Sequence, residues 1–156
     1  MKLSKRILIA LAALLIITTA QAQDLGSIMK SHANSDEIKY VKINKAMLRI
    51  AGFAADKETR QILKKISGMQ VLMADKEVDF QPLLTDINQA IERDQFEKLV
   101  EATEEGHHVK VYYKEKNKKE SEMLMVMQDK TGALQLMLID GSLTMEEMMK
   151  LNMEED

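Results

Sequence analysis

"HVKVYYKEKNKKESEMLMVMQDKTGALQLMLID", residues 108–140, decides the fold. Its first part, "HVKVYYK", puts Val109, Val111 and Tyr113 on one side and His108, Lys110 and Tyr112 on the other, the alternation of a half-buried strand. "KNKKE" is a polar turn, "SEMLMVMQ" a second strand, "DKTG" another turn and "ALQLMLID" a third strand. The connections are too short for the crossover that parallel strands need. The three strands are therefore expected to pair consecutively as antiparallel hairpins.

"GSLTMEEMMKL" (141–151) follows the last strand. Thr144 and Glu147 have the spacing of a capping box, so a helix is expected to begin there and run to about Leu151, with residues 152–156 fraying. Met145, Met148 and Met149 would form one stripe of that helix. On the upstream side, "LVEAT" leads through "EEGH", a turn with Gly106, into the first strand. Residues 94–105 admit two assignments: a first meander strand, or an extension of the preceding helix as far as Gly106.

That preceding helix begins near Pro82, the single proline, which favours the first helical turn. Leu83, Leu84, Ile87, Ala90 and Ile91 then recur at helical spacing. Before it, "MQVLMA" (69–74) reads as a buried strand. Asp56 is placed to cap a helix "KETRQILKKIS" that Gly68 stops, with Ile62, Leu63 and Ile66 on one face. Asn44 is placed to cap a shorter helix, "KAMLRIA", ended by Gly52, and "IKYVKI" (38–43) has strand composition. Residues 23–37 read as a flexible or short helical arm. The expected fold class is α+β: an antiparallel sheet with a C-terminal three- to four-strand meander and helices packed on it, as one domain over residues 38–151.

Met123, Met125 and Met127 occupy alternate positions of the middle strand and so share one face at intervals of about 6.6 Å. Thioethers are soft ligands suited to copper(I), which makes these three the candidate metal residues. Ligands must converge on one ion, however, whereas three in a row on a strand project in parallel. Leu124 and Val126 between them are also apolar, as an interior strand covered on both faces requires. With no Trp, 4% aromatic residues and 13 Met, the chain fills its interior with unbranched and aliphatic side chains. The three methionines are therefore expected to be packing residues.

The N-terminus carries the most specific signal. "MKLSKR" is a positive segment, "ILIALAALLII" an unbroken apolar run, and Ala20 and Ala22 make a small-residue cleavage pattern before Gln23. This order reads as a secretory signal peptide over residues 1–22. The apolar run is shorter than the roughly 20 residues a membrane-spanning helix needs. Periplasmic or secreted localisation is the expectation, with no transmembrane segment in the mature chain.

Removing Lys2, Lys5 and Arg6 takes the net charge from −3 to −6. An acidic domain of this kind is a poor candidate for nucleic acid, whose phosphates attract cations. The chain has no Cys, which excludes disulfides, thiolate metal sites and thiol nucleophiles. His107 and His108 are strand neighbours pointing to opposite faces, and His32 is distant in sequence. "DKEVDF" (75–80) places Phe80 and Asp86 where a calcium loop needs Gly and Glu. Nucleophile-elbow, phosphate-loop and dinucleotide motifs are absent from the sequence. No catalytic residue and no cofactor is indicated.

"INKAMLRIAG", with "FEKLVEATEEGHHVKVYYKEKNKKESEMLMV" and "LQLMLIDGSLTMEEMMKL", resembles the domain-of-unknown-function family 4252, whose members are exported proteins of Gram-negative bacteria. The shared features are a strand and helix ending in Ala-Gly, a Glu-Glu-Gly turn into a Val-x-Val-Tyr strand, and a last strand leading into a Gly-Ser-Leu helix start. The resemblance implies export and a single domain; it brings no activity and no functional residues.

Three function classes follow. The first is an exported non-catalytic binding or interaction module for a protein or small-molecule partner, compatible with an oligomer. The second is a methionine-based copper or oxidation-buffering protein. The third is an enzyme whose site is built from scattered residues.

Overall fold

A computed structural model describes residues 22–147. The expected signal peptide, the end of the last helix and the C-terminal tail lie outside the described residues, apart from Ala22. The elements run α1 (Leu25–His32), β1 (Ile38–Asn44), α2 (Lys45–Ala54), α3 (Lys57–Lys65), β2 (Ile66–Ala74), α4 (Gln81–Arg93), β3 (Glu97–Glu104), β4 (His107–Asn117), β5 (Glu120–Gln128) and β6 (Leu134–Gly141).

The six strands form one antiparallel sheet in the order β1-β2-β6-β5-β4-β3. The meander is thus four strands long, from β3 to β6, and the chain is α+β. Residues 97–104 form its first strand, because the helix stops at Arg93 and Gln95 turns with φ 58°. Glu105 (φ 48°) and Gly106 (φ 84°) then make a tight two-residue hairpin, where positive φ at both central positions matches the strand twist. At the next turn but one, the Asp129 carboxylate accepts from the backbone N–H groups of Thr131 and Ala133. It fixes a loop that Gly132 completes with φ 94°.

A pair of helices packs on each face, and the second pair covers only part of its side. On one face, α1 and α4 cover Leu72, Leu124, Leu136 and Leu138, all at most 1% exposed. Leu25 and Met29 of α1 are equally buried, so the segment expected as an arm contributes core residues. On the other face, Leu48, Ile66, Val111, Tyr113, Met123, Ile139 and Leu143 form a second core beneath α2 and α3. Its burial declines away from that corner: Met125, Met127 and Met137 are half-buried, and Met73 is 38% exposed. β5 is therefore apolar on both sides because a core lies on each.

Two helix ends differ from expectation. Gly52 does not end α2, which continues to Ala54. α3 stops at Lys65, one residue before Ile66, which opens β2 opposite Gly141. The ladder with β6 competes for Ile66 and wins, because its side chain is 2% exposed in the second core.

Candidate functional site

The corner formed by α2 and α3 carries the most exposed large apolar side chains among the described residues. Asn44, the last residue of β1, caps α2 by accepting from the Met47 N–H at 3.1 Å. Asp56 caps α3 by accepting from the Glu58 and Thr59 N–H groups, both at 2.9 Å. The Thr59 hydroxyl also donates to Asp56, and with those backbone bonds it holds the carboxyl below the usual range. Only Ala55 and Asp56 separate the helices, so the chain turns sharply. Arg60 reaches back from α3, its Nε donating to the Gly52 carbonyl at 2.9 Å and a terminal nitrogen donating to Ala55 at 3.0 Å. Those carbonyls lie at the α2 C-terminus, where a cation satisfies orphan acceptors and opposes the helix dipole.

One side of α2 is spent on the core through Leu48 and Gly52. The other side carries Met47, Ile50 and Phe53, exposed by 58%, 68% and 80%. Ala46, Ala51 and Ala54 extend this exposed arc. Between the helices runs a groove of about 530 Å³ with Leu48, Gly52, Phe53 and Leu63 as its apolar lining. Its remaining lining is cationic: Lys45 and Arg49 from α2, Arg60 and Lys64 from α3, and no carboxylate. Lys45, Arg49 and Lys64 have no ion-pair partner among the described residues. Residues 42–65 hold seven basic and two acidic side chains, a net of +5 against −3 for the whole chain, which leaves −8 elsewhere.

A second polar cluster lies on the opposite face of the sheet. Lys116 of β4 donates to Asp140 at 2.6 Å and pairs with Glu122 at 3.0 Å. Burial raises the Glu122 carboxyl above its usual range, against the opposing pull of Lys116. Burial also works against the Lys116 charge, but its bonds to Asp140 and Glu122 prevail and hold the ammonium above its ordinary value. The two carboxylates face each other across the β5–β6 ladder and share one ammonium, so this cluster cross-ties three strands.

The sequence-derived candidates are placed as follows. Met123 is 1% exposed, packed in the second core, while Met125 and Met127 follow it outward on the same face. Met125 stands opposite Met137 of β6, bringing two thioether side chains onto adjacent strands. The histidines do not converge: His107 and His108 are consecutive in β4, where His108 bonds to Thr103, and His32 pairs with Asp86 of α4 at 2.8 Å. Among the described residues, no three His, Cys, Asp or Glu side chains are grouped to hold a metal. Also among them, no helix is long and apolar enough to cross a membrane.

Sequence reasoning missed the α2–α3 surface. The available signals were Met47, Ile50 and Phe53 at helical spacing beside the core residue Leu48, and the local excess of cations. Neither stands out until the fold shows which side of α2 meets the sheet.

No curated protein and no solved structure matches the chain. One family model does, over residues 32–151, most of the chain; it takes in all six strands and α2 to α4, and leaves out α1 apart from His32. The chain belongs to the family described as Domain of unknown function (DUF4252).

Proposed function

We propose that the protein is an exported, non-catalytic binding module whose working surface is the α2–α3 groove, and that it recognises an anionic amphiphile. The observation that carries this reading is the lining of the groove: four cations around an apolar floor, with no acidic side chain. A ligand with a negative head and an apolar body satisfies both parts. The head meets Lys45, Arg49 and Lys64, which lack partners among the described residues; the body lies along Leu48, Phe53 and Leu63. Export rests on the order of charge, apolar run and small residues in residues 1–22.

Octyl phosphate, kept below its micelle concentration, tests the groove. Backbone amide shifts in NMR are expected to concentrate on α2 and α3 and to disappear in an Arg49→Glu, Lys64→Glu variant. Octyl glucoside, which has the same tail and no charge, is expected to bind at least tenfold more weakly. Shifts scattered over the sheet, or equal binding of both compounds, would overturn the reading.

A second reading attaches to the methionines and rests on the Met125–Met137 pairing. It gives that face a soft-metal or oxidation-buffering role, through Met123, Met125 and Met127 together with Met137.

A further inference from the structure

We propose that the amphiphile met by the α2–α3 corner is the surface of a bilayer rich in anionic phospholipid, so that the protein is a peripheral membrane protein held by this corner. The inference rests on the groove reading above and names the setting in which its ligand is presented.

Three observations carry it. The exposed arc of α2 is convex. Met47, Ile50 and Phe53 project from a helix whose opposite side is anchored on the sheet through Leu48 and Gly52, and of the three only Phe53 also borders the groove. A projecting apolar arc suits insertion among headgroups and acyl chains, where interfacial helices bury their apolar side. Secondly, the cations flank that arc. Lys45 and Arg49 belong to α2 itself and Lys64 to the helix beside it, so phosphate contacts and apolar insertion occur in one orientation. Thirdly, charge is segregated along the chain. Residues 42–65 carry +5 and the remainder −8. A negative surface attracts the corner and repels the rest, which fixes the docking pose before contact.

A protein helix with an acidic rim would also satisfy the charges. Seated in the groove, however, such a helix would leave Met47 and Ile50, which do not line it, in water. The bilayer supplies an apolar boundary at any point of its surface. Rigidity favours the same conclusion. Arg60 locks the α2 C-terminus to α3, and Ser142 N–H donates to the Lys65 carbonyl at 2.8 Å, tying the end of α3 to the end of β6. The arc is therefore presented without prior folding of α2.

The test uses the protein as processed by the cell, its mass checked for removal of the signal peptide. It is floated with vesicles of phosphatidylcholine alone or with equal parts of phosphatidylglycerol. Flotation with the anionic vesicles only, reduced at least tenfold by 0.5 M salt, is expected. The chain has no Trp, so Phe53→Trp places a single reporter on the arc. Its emission is expected to shift to the blue on anionic vesicles and to stay unchanged on neutral ones. Ile50→Ser with Phe53→Ser changes two solvent-exposed positions, so the fold should survive, as a circular-dichroism melt verifies; flotation is expected to fall at least tenfold. Equal flotation of this variant and the wild type would overturn the proposal, as would no flotation with anionic vesicles. If octyl phosphate binds the groove while vesicles do not, the bilayer inference fails and the groove reading stands; if neither binds, both fail. Vesicle binding that Arg49→Glu with Lys64→Glu abolishes supports both.

Discussion

Met125 lies opposite Met137 across the β5–β6 ladder, and opposite Val111 across β4–β5. Two residues earlier, Met123 stands between Tyr113 and Ile139 and is 1% exposed. The methionine row thus passes from full burial beneath the α2–α3 corner to half burial further along β5. Unbranched side chains suit such a graded boundary, because they adapt to irregular neighbours.

Replacing Met123, Met125 and Met127 together by Leu keeps volume and polarity, and is expected to cost under about 1.5 kcal/mol per site. Met123→Asp instead places a carboxylate in the second core without a partner, with an expected loss of about 3–5 kcal/mol, or failure to fold. Met127→Asp, at a half-buried position, should be the milder of the two Asp variants. Urea unfolding of the series checks the order. The same Leu variant, titrated with copper(I) against a competing chelator, examines the methionine reading. Tight one-to-one binding by wild type that vanishes in the variant would assign these residues a metal role.

Gly141 and Gly52 are expected to respond to alanine with opposite signs. A Cβ on Gly141 would stand 2.4 Å from the Lys65 carbonyl oxygen and 3.0 Å from the Ile66 Cα, both backbone atoms. Gly141→Ala should push β6 from the end of α3, break the Ser142–Lys65 bond, and cost about 1–3 kcal/mol. A Cβ on Gly52 meets only side-chain atoms at 3.7 and 3.8 Å, ordinary contact distances. Gly52 is inside a helix, so Gly52→Ala should stabilise the protein by up to about 1 kcal/mol. Thermal melts of both variants decide this; stabilisation by Gly141→Ala would refute the close-approach account.

Local chemistry made much of this fold legible. Asn44 and Asp56 cap their helices as their side chains allow. Thr144 and Glu147 bond reciprocally, the Glu147 N–H donating to the Thr144 hydroxyl at 3.2 Å and the Thr144 N–H to the Glu147 carboxylate at 3.1 Å. The alternation in β4 and the short turns around β5 gave the meander its strands and their antiparallel sense. Long-range pairing was not legible in the same way. Ile66 continues the helical spacing of Ile62, yet the β2–β6 ladder takes it, and β6 lies far along the chain. Residues 25–32 are too few and too polar to announce Leu25 and Met29 as core. The α2–α3 surface fell in the same gap: the spacing of Met47, Ile50 and Phe53 is visible, but only the sheet beneath Leu48 tells which side of α2 remains outside.

Export has a direct measurement. Protein recovered from the cell envelope is expected to have an intact mass that begins at Gln23, after the Ala20–Ala22 cleavage pattern. A mass that retains residues 1–22 would replace a released domain with an anchored one.

The Lys116–Glu122–Asp140 cluster gives stability a pH dependence of known sign. Glu122 is 7% exposed, and burial raises its carboxyl above the ordinary glutamate value despite Lys116 at 3.0 Å. The folded state therefore binds this proton more tightly than the unfolded state. Its contribution to stability is complete below the unfolded value, about 4.3, and is lost as pH rises through the folded one. Glu122→Gln removes that loss, since an amide oxygen still accepts from Lys116 and carries no charge to desolvate. The stability of Glu122→Gln relative to wild type should improve as pH rises above the unfolded value and level off once pH passes the folded one. Lys116→Met should behave in the opposite way. It leaves the buried Glu122 charge without its cation, so its penalty is largest at neutral pH and shrinks as Glu122 takes up a proton. Lys116 is partly exposed, which places that neutral-pH penalty between the roughly 0.2–1 kcal/mol of a surface pair and the roughly 3–5 kcal/mol of a buried one. Urea midpoints of the three proteins at pH 4.5, 6 and 7.5 check the argument. A Glu122→Gln advantage that fell with rising pH would mean that Lys116, and not burial, governs the Glu122 charge.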